Sequence, residues 1–398
     1  MDFRIAPAIE ERLAAVRDFV VGRVQPLEPL LLGGQWEALE SGVAALRAEV
    51  QAAGWWAPHL PPSAGGSGGG LVQLGLTGEL LGRSPLGHYV FGCQAPDAGN
   101  AELLLAHGSS EQRERFLAPL AAGSARSCFL MTEPEFAGSN PTEMATTAVR
   151  DAGDWVINGH KWFATGADGA AFGLCMAVTD AGAGRHRRAS LFLVETDRAG
   201  FRLVRNLPVM GQPGRGLFSH GEVRLADVRV PAAQLLGAVG AGFAMAQERL
   251  GPGRIHHCMR WIGICRRAID EMTRYALRRE VAPGVPLANM GSLRDGLAGS
   301  VAEVEAARAL VLMTAWSIEQ EGFRAARDRI SMIKYYTANV LQRVVDRALQ
   351  AHGGLGMTDD SILAYFYREE RAARIYDGPD EVHRAAVARR LLETAAQR

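Results

Sequence analysis

A chain of 398 residues and 42.8 kDa has room for two or three domains. With 48% hydrophobic and 22% charged residues it can bury a large core, which excludes a disordered tail or a coiled rod. Forty-three basic residues balance 43 acidic ones, so net charge points to no nucleic acid and no anionic membrane as partner.

Only two of the basic residues are lysines, Lys161 and Lys334, which by sequence alone reads as codon bias without functional weight. Cys93, Cys128, Cys175, Cys258 and Cys265 form no CxxC pair and no zinc-ligand spacing, so neither a disulfide framework nor a metal site is expected. The N-terminal segment carries Asp2, Glu10 and Glu11 and no uninterrupted apolar stretch, unlike a secretory signal or a transit peptide. No window nears eighteen consecutive apolar residues. The expectation is a soluble, cytoplasmic protein without a membrane span.

In chain order, residues 1–125 read as a helical domain. Ile9, Leu13, Val16 and Val20 form a helical stripe, Ala44–Ala53 and Leu71–Leu81 repeat the pattern, and SEQRERFLAPLAAG opens on Ser and stops at Gly as capped helices do. PPSAGGSGGG, residues 61–70, reads as an internal loop because helices resume after it. Residues 126–239 switch to strands: two turn signals, Ala152-Gly153 and Asn158-Gly159, predict consecutive hairpins, and Leu174–Val178, Leu191–Glu195 and Gly221–Val230 follow. Residues 240–398 return to helices, at about 243–279, 292–321, 324–352 and 379–396. The fold class is therefore α+β: an N-terminal helical domain, a middle antiparallel β-barrel or sandwich, and a C-terminal four-helix bundle.

Five segments could carry chemistry. SCFLMTEPEFAGSN, residues 127–140, runs a strand into a turn rich in backbone donors, and reads equally as a ligand cradle or a polar loop. KWFATGAD, residues 161–168, sets Trp162 and Phe163 before a hydroxyl and a turn; such aromatics are core more often than cofactor wall. In GPGRIHHCMRWIG, residues 251–263, a Gly/Pro break releases a helix with Arg254 near its start, where a cation opposes the helix dipole unless an anion meets it. A solvated arginine is the equal alternative. The adjacent His256 and His257 lack the one-turn spacing of a metal pair. LQAHGGLGM, residues 349–357, is a helix end with a glycine turn, ordinarily a cap. In RIYDGPDEVHR, residues 374–384, Asp380 and Glu381 suit helix capping, whereas Asp377 precedes the helix on a Gly-Pro turn beside Tyr376.

In this order and spacing the segments resemble the acyl-CoA dehydrogenase family over essentially the whole chain. MTEPEFAGSN is similar to the family's first signature, VINGHKWFATGA to its second strand element, VRLADVRVPAAQLLG with GAGF to the barrel exit, and QAHGGLGMT with IYDGPDEVHR to the C-terminal signature. APDAGNAELLLAHGSSEQRERFLAPL, RIHHCMR and DGPDEVHR are similar to the branch containing the animal acyl-CoA dehydrogenase family members ten and eleven, where aspartate replaces the usual glutamate base. The resemblance implies an FAD-dependent oxidoreductase of fatty acid metabolism, a homodimer or homotetramer. It would convert an acyl-CoA thioester to the trans-2-enoyl-CoA and pass electrons to an electron-transferring flavoprotein.

The same resemblance assigns residues. Asp377 falls at the position of the base that takes the α-proton; some relatives carry the base where Gly253 stands here, which cannot serve. Met131, Thr132 and Ser139 match the pyrimidine and pyrophosphate side of the flavin, and Phe163 with Thr165 flank the ring. Arg279, Gln350, Gly353 and Gly354 match positions reaching the adenosine diphosphate of a neighbouring subunit's FAD, and Pro379 and Glu381 close over the cofactor. Ser139, Arg254, Tyr376 and Gly378 match substrate contacts. Four positions depart from the family pattern: Ala282 and Pro283 stand where a Phe-Gly pair usually packs on the cofactor, Pro379 replaces a threonine, and Asn140 replaces an aspartate. Two other readings share the fold: an oxygen-using oxidase similar to nitroalkane oxidases, and a flavin-poor scaffold without turnover. Chain length of the acyl group and the choice between CoA and a carrier-protein thioester are not written in these motifs.

Overall fold

The stripe predicted from Ile9 onward folds as helix α1, Pro7–Phe19, continued by a looser turn over Val20–Val24. Leu13, Val16, Val20 and Val24 are its buried side chains, spaced as one face of a helix requires. In the computed structural model, which describes residues 4–397, the chain forms two compact units. Residues 4–59, 68–91 and 253–397 make the first, and residues 60–67 and 92–252 the second.

In the first unit α2, Trp36–Ala52, begins well before the predicted Ala44, because Leu39, Val43, Leu46 and Val50 extend one buried face. Helix α3, Leu71–Leu81, has the predicted bounds and follows the glycine-rich loop directly. In the second unit α4 spans Asp97–His107. The next helical segment starts with a capping box in which Ser109 Oγ accepts from the Gln112 N–H and Gln112 Oε1 from the Ser109 N–H, both at 3.1 Å. It stops at Gly123, φ 74°.

Eight strands follow: β1 Ser127–Leu130, β2 Thr147–Asp151, β3 Asp154–Thr165, β4 Phe172–Val178, β5 Ala189–Glu195, β6 Phe201–Asn206, β7 His220–Val230 and β8 Leu235–Leu236. They form one sheet in the order β6-β7-β3-β2-β4-β5-β8, with β1 against β4. The predicted antiparallel character holds except for β1–β4 and the Thr147–Val178 bridge of β2–β4, which are parallel. The long connection from β1 to β4 permits that, since parallel strands need a crossover rather than a tight turn.

Ala152 and Gly153 make the hairpin turn between β2 and β3, both with positive φ. The second predicted hairpin at Asn158-Gly159 is absent: β3 runs straight through, and the pair sits at a register shift against β7. Asn158 spends its side chain on Asp227, donating to Oδ1 at 3.0 Å and accepting from its N–H at 2.8 Å. Gly159 is needed because a Cβ there would lie 2.2 Å from Thr146 Oγ1.

Helix α5, Gly242–Arg278, begins in the second unit and continues in the first. A small hairpin, β9 Glu280–Ala282 and β10 Val285–Pro286, leads to α6, Gly291–Glu321, and α7, Phe323–His352. An additional helix, α8 at Ile362–Glu370, lies between these and the final α9, Asp380–Ala396. The core of this unit joins Trp261, Ile262, Cys265 and Ala268 of α5 to Val304, Ala307, Val311 and Ala315 of α6, to Ile330, Ile333, Leu341 and Val344 of α7, and to Leu363 and Phe366 of α8. The three-and-four spacing within each helix is what bundle packing demands.

Candidate active site

Between α8 and α9 the chain makes a short turn over Arg371–Arg374 and then runs through Ile375, Tyr376, Asp377, Gly378 and Pro379. Asp377 lies in the left-handed region at φ 53°, and Gly378 follows at φ 97°. For a non-glycine residue that conformation costs about 1–2 kcal/mol, so the surroundings must hold it. They do so through the main chain. The Asp377 carbonyl accepts from His383 Nε2 at 3.0 Å and from Arg254 Nη2 and Nε at 3.3 and 3.4 Å. Lys334 Nζ donates to the Gly378 carbonyl at 3.1 Å and to the Ala373 carbonyl at 2.7 Å. Residue 378 must be glycine, since a Cβ would stand 2.7 Å from His383 Nε2. The Asp377 carboxylate faces His257, with Oδ2 3.3 Å from Nε2, and its side chain is 19% exposed.

Several polar groups around this loop are paired in depth. The Tyr376 hydroxyl accepts from Arg260 Nη2 at 2.9 Å and from Trp261 Nε1 at 3.0 Å. Arg260 also forks onto buried Glu370; burial by itself would lower the guanidinium's pKa, but the charges of and hydrogen bonds to Glu370 and Tyr376 together raise it. Asp380 anchors the start of α9 by accepting from Asn339 Nδ2 and Arg374 Nε, each at 2.8 Å. Burial lowers the pKa of Lys334 and of Arg254, and takes His383 down to about 4, so His383 is neutral at pH 7.

Arg254 corrects one expectation. It is not in the first turn of a helix: α5 is continuous from Gly242 to Arg278, so no helix dipole is opposed there. Its guanidinium is turned to the Asp377 carbonyl, which a sequence reading could not foresee. Thus Arg254, Tyr376, Asp377 and Gly378 come together within the first unit. Pro379 stands at the N-cap of α9, and Glu381 is exposed in its first turn. Arg279, at the end of α5, and Gln350, Gly353 and Gly354, at the end of α7, are exposed. The two helix ends are tied by Tyr275 stacked on His352, with ring centroids 4.2 Å apart. Ala282 and Pro283 lie on the exposed β9–β10 hairpin.

The second unit holds the other group. Lys161 is fully buried and donates to the Met131 carbonyl at 3.0 Å and to Glu133 Oε1 at 2.8 Å. Glu133 in turn accepts from the N–H groups of Ala145 and Thr146 at 2.6 and 3.0 Å. Burial alone would raise its pKa, but Lys161 and these donors bring it below the ordinary value. The Trp162 N–H bonds the Thr132 carbonyl at 3.0 Å, joining the first signature to β3. Met131, Thr132 and Phe163 are thereby brought together. Phe163 is held at φ 49° with its ring 49% exposed, and the buried Trp162 Nε1 has no partner. Thr165 Oγ1 is 2.9 Å from His220 Nδ1, and Ser139 is exposed on the loop after β1.

His257, His383 and Lys334 are the participants that sequence reading missed. Lys334 carried a signal, its rarity in an arginine-rich chain. The histidines carried one only in retrospect, His257 by lying three residues after Arg254 on the same helical face.

Among described residues no helix is long and apolar enough to cross a membrane. Family models for the N-terminal, middle and C-terminal domains of acyl-CoA dehydrogenases match residues 7–124, 128–228 and 240–392. The chain is 39% identical to acyl-CoA dehydrogenase family member 10 of Mus musculus over 99% of its own length, and spans 38% of that relative's length. It is 45% identical to FadE2 of Mycobacterium tuberculosis, classed by name with the acyl-CoA dehydrogenases, over 75% of this chain and 73% of that one. An acyl-CoA dehydrogenase homologue from Mycobacterium abscessus has a solved structure that superposes with a TM-score of 0.93, at 39% identity, covering 99% of this chain and all of that one. Domain order, fold and these similarities agree that the chain belongs to the acyl-CoA dehydrogenase family.

Proposed function

We propose that the chain binds FAD and removes two hydrogens from an acyl-CoA thioester to give the trans-2-enoyl-CoA, with Asp377 as the base. The observation that carries this reading is the clamped, left-handed Asp377: its main chain is held by Arg254 and His383 and its neighbour Gly378 by Lys334, while its carboxylate stays partly open. Such preorganisation is what proton abstraction from carbon requires. Asp377 breaks the Cα–H bond and keeps the proton on its carboxyl group.

The residues present fit the cofactor. In the second unit Phe163 offers an exposed aromatic face at a costly backbone angle, and Thr132 is tied through its carbonyl to the neighbouring Trp162; Met131, Thr132, Ser139 and Thr165 would meet the flavin with it in this reading. In the first unit an added Cβ at Gly353 or Gly354 meets nothing within 4 Å, which leaves peptide groups open to a phosphate. There Arg279 and Gln350 would hold the adenosine diphosphate portion of a neighbouring subunit's FAD, while Pro379 and Glu381 would close over the cofactor. When bound, FAD supplies the two-electron acceptor for the β-hydrogen. In this reading Tyr376, Gly378 and Arg254 of the first unit are assigned to substrate contact, and Ser139 of the second is assigned so by the family resemblance alone. Family membership supports an electron-transferring flavoprotein as acceptor of the electrons, a role in fatty acid metabolism, and assembly as a homodimer or homotetramer. Five free, buried cysteines suit a reducing compartment such as the cytoplasm.

The test is an anaerobic titration with butyryl-, octanoyl- and palmitoyl-CoA, following the loss of flavin absorbance. Asp377→Asn should retain the yellow cofactor and lose bleaching by about 10²–10⁴-fold with every thioester. Undiminished bleaching in that variant would refute the base assignment.

A further inference from the structure

His257 lies three residues after Arg254 on α5, so both side chains reach residue 377 from one helical face. They do different things there. Arg254, with His383, holds the carbonyl, whereas His257 presents Nε2 to the carboxylate at 3.3 Å from Oδ2. The ring is packed on three sides: Trp261 stacks on it at 6.0 Å and 21°, Tyr376 tilts against it at 5.1 Å, and His256 meets it edge-on at 5.8 Å. Its other nitrogen, Nδ1, is buried without a partner. A buried polar atom left unpaired is costly, and a hydrophobic ring of the same shape would fill the space without that cost. The cost is borne beside a carboxylate that the other nitrogen, Nε2, reaches. A bare Nε2 lone pair would repel the carboxylate oxygen, so the tautomer that suits this contact carries its proton on Nε2.

We propose that His257 is a positioning residue for Asp377: through the polar contact of Nε2 with Oδ2, at ion-pair range, it fixes the rotamer in which the carboxylate meets the α-carbon. This rests on the reading of Asp377 as the base. The charged and titratable groups around the ring and the Asp377 carboxylate are Arg254, His256, Cys258 and Arg260 on its own helix, Lys334 on α7, His383 on α9, and Tyr376 and His88. Arg254, Lys334 and His383 are committed to backbone carbonyls, and Arg260 to Glu370 and the Tyr376 hydroxyl.

The experiment uses the FAD-loaded full chain and measures anaerobic bleaching by saturating octanoyl-CoA, or by palmitoyl- or butyryl-CoA if one of these is faster with wild type. His257→Leu should slow bleaching about 10–100-fold, leaving the half-saturating thioester concentration, the flavin spectrum and the melting temperature near wild type. His257→Gln, whose amide can still donate to the carboxylate, should recover most of the rate. The α-deuterated thioester should show a larger isotope effect in the leucine variant, since proton abstraction becomes the slower step. Wild-type rate and isotope effect in His257→Leu overturn the proposal, as does a glutamine variant no faster than leucine. Asp377→Asn, run alongside, separates the two readings. If it still bleaches, the base assignment fails and this inference with it; if it is inert while His257→Leu is unimpaired, this inference alone fails.

Discussion

At the scale of single residues, the two lysines are instructive. Both are fully buried, and both use a compact ammonium to bond two acceptors, Lys161 the Met131 carbonyl and Glu133, Lys334 the carbonyls of Ala373 and Gly378. Sequence reading attributed the rarity of lysine to codon bias; the places of these two give a reason why lysine stands at them. A guanidinium is larger, planar and rigid, and does not fit where two acceptors must be met from one atom in a closed space. Lys334→Met should lower the unfolding free energy by about 2–4 kcal/mol, because two buried carbonyls lose their donor at about 1–3 kcal/mol each. Lys334→Arg should also destabilise. Denaturant unfolding checks both, and an arginine variant as stable as wild type would return the lysine to accident.

At the scale of elements, β3 shows how tertiary contacts override a turn signal. Asn158-Gly159 is a hairpin sequence in isolation, yet β7 on one side and Thr146 on the other keep the strand extended. The asparagine's local hydrogen-bonding capacity is diverted to Asp227 across the sheet. Gly159→Ala would drive a methyl group into Thr146, whose own N–H bonds Glu133. A loss of about 1–3 kcal/mol is expected from such overpacking, read as a lowered midpoint in thermal or urea unfolding. The continuous helix α5 is the converse case: Gly251-Pro252-Gly253 reads as a break, but the chain remains helical through it, and the packed face beyond dominates.

At the scale of the whole molecule, buried neutral histidines make stability depend on pH. His383 titrates near 4 in the folded chain because burial and Arg254 disfavour its charge, against an ordinary value near 6.5. Burial lowers His88 and His256 in the same direction. The unfolded chain therefore binds more protons below pH 6.5, and the stability that neutral His383 contributes is present above 6.5 and lost as pH falls toward 4. Buried carboxyls such as Glu28 and Asp97 shift upward and act in the opposite sense, so a difference measurement is required. Between pH 7 and pH 5, wild type should lose about 2 kcal/mol of unfolding free energy relative to His383→Gln. Parallel curves for the two proteins would contradict this.

The order of helices, strands and helices was legible in the chain because apolar spacing switches from helical to alternating and back, and such periodicity is a local property. So was Asp377 as the acid without a capping role, through its Gly-Pro turn and the family resemblance of its surroundings. What became visible only in three dimensions is how that acid is held. Arg254, His257, Lys334 and His383 are separated from it by 6 to 123 residues, and hydrogen-bond geometry across such distances depends on helix packing that no local pattern encodes. Residue types and their order carried the chemistry; bringing four nitrogen-bearing side chains to one strained loop was the work of the packed core.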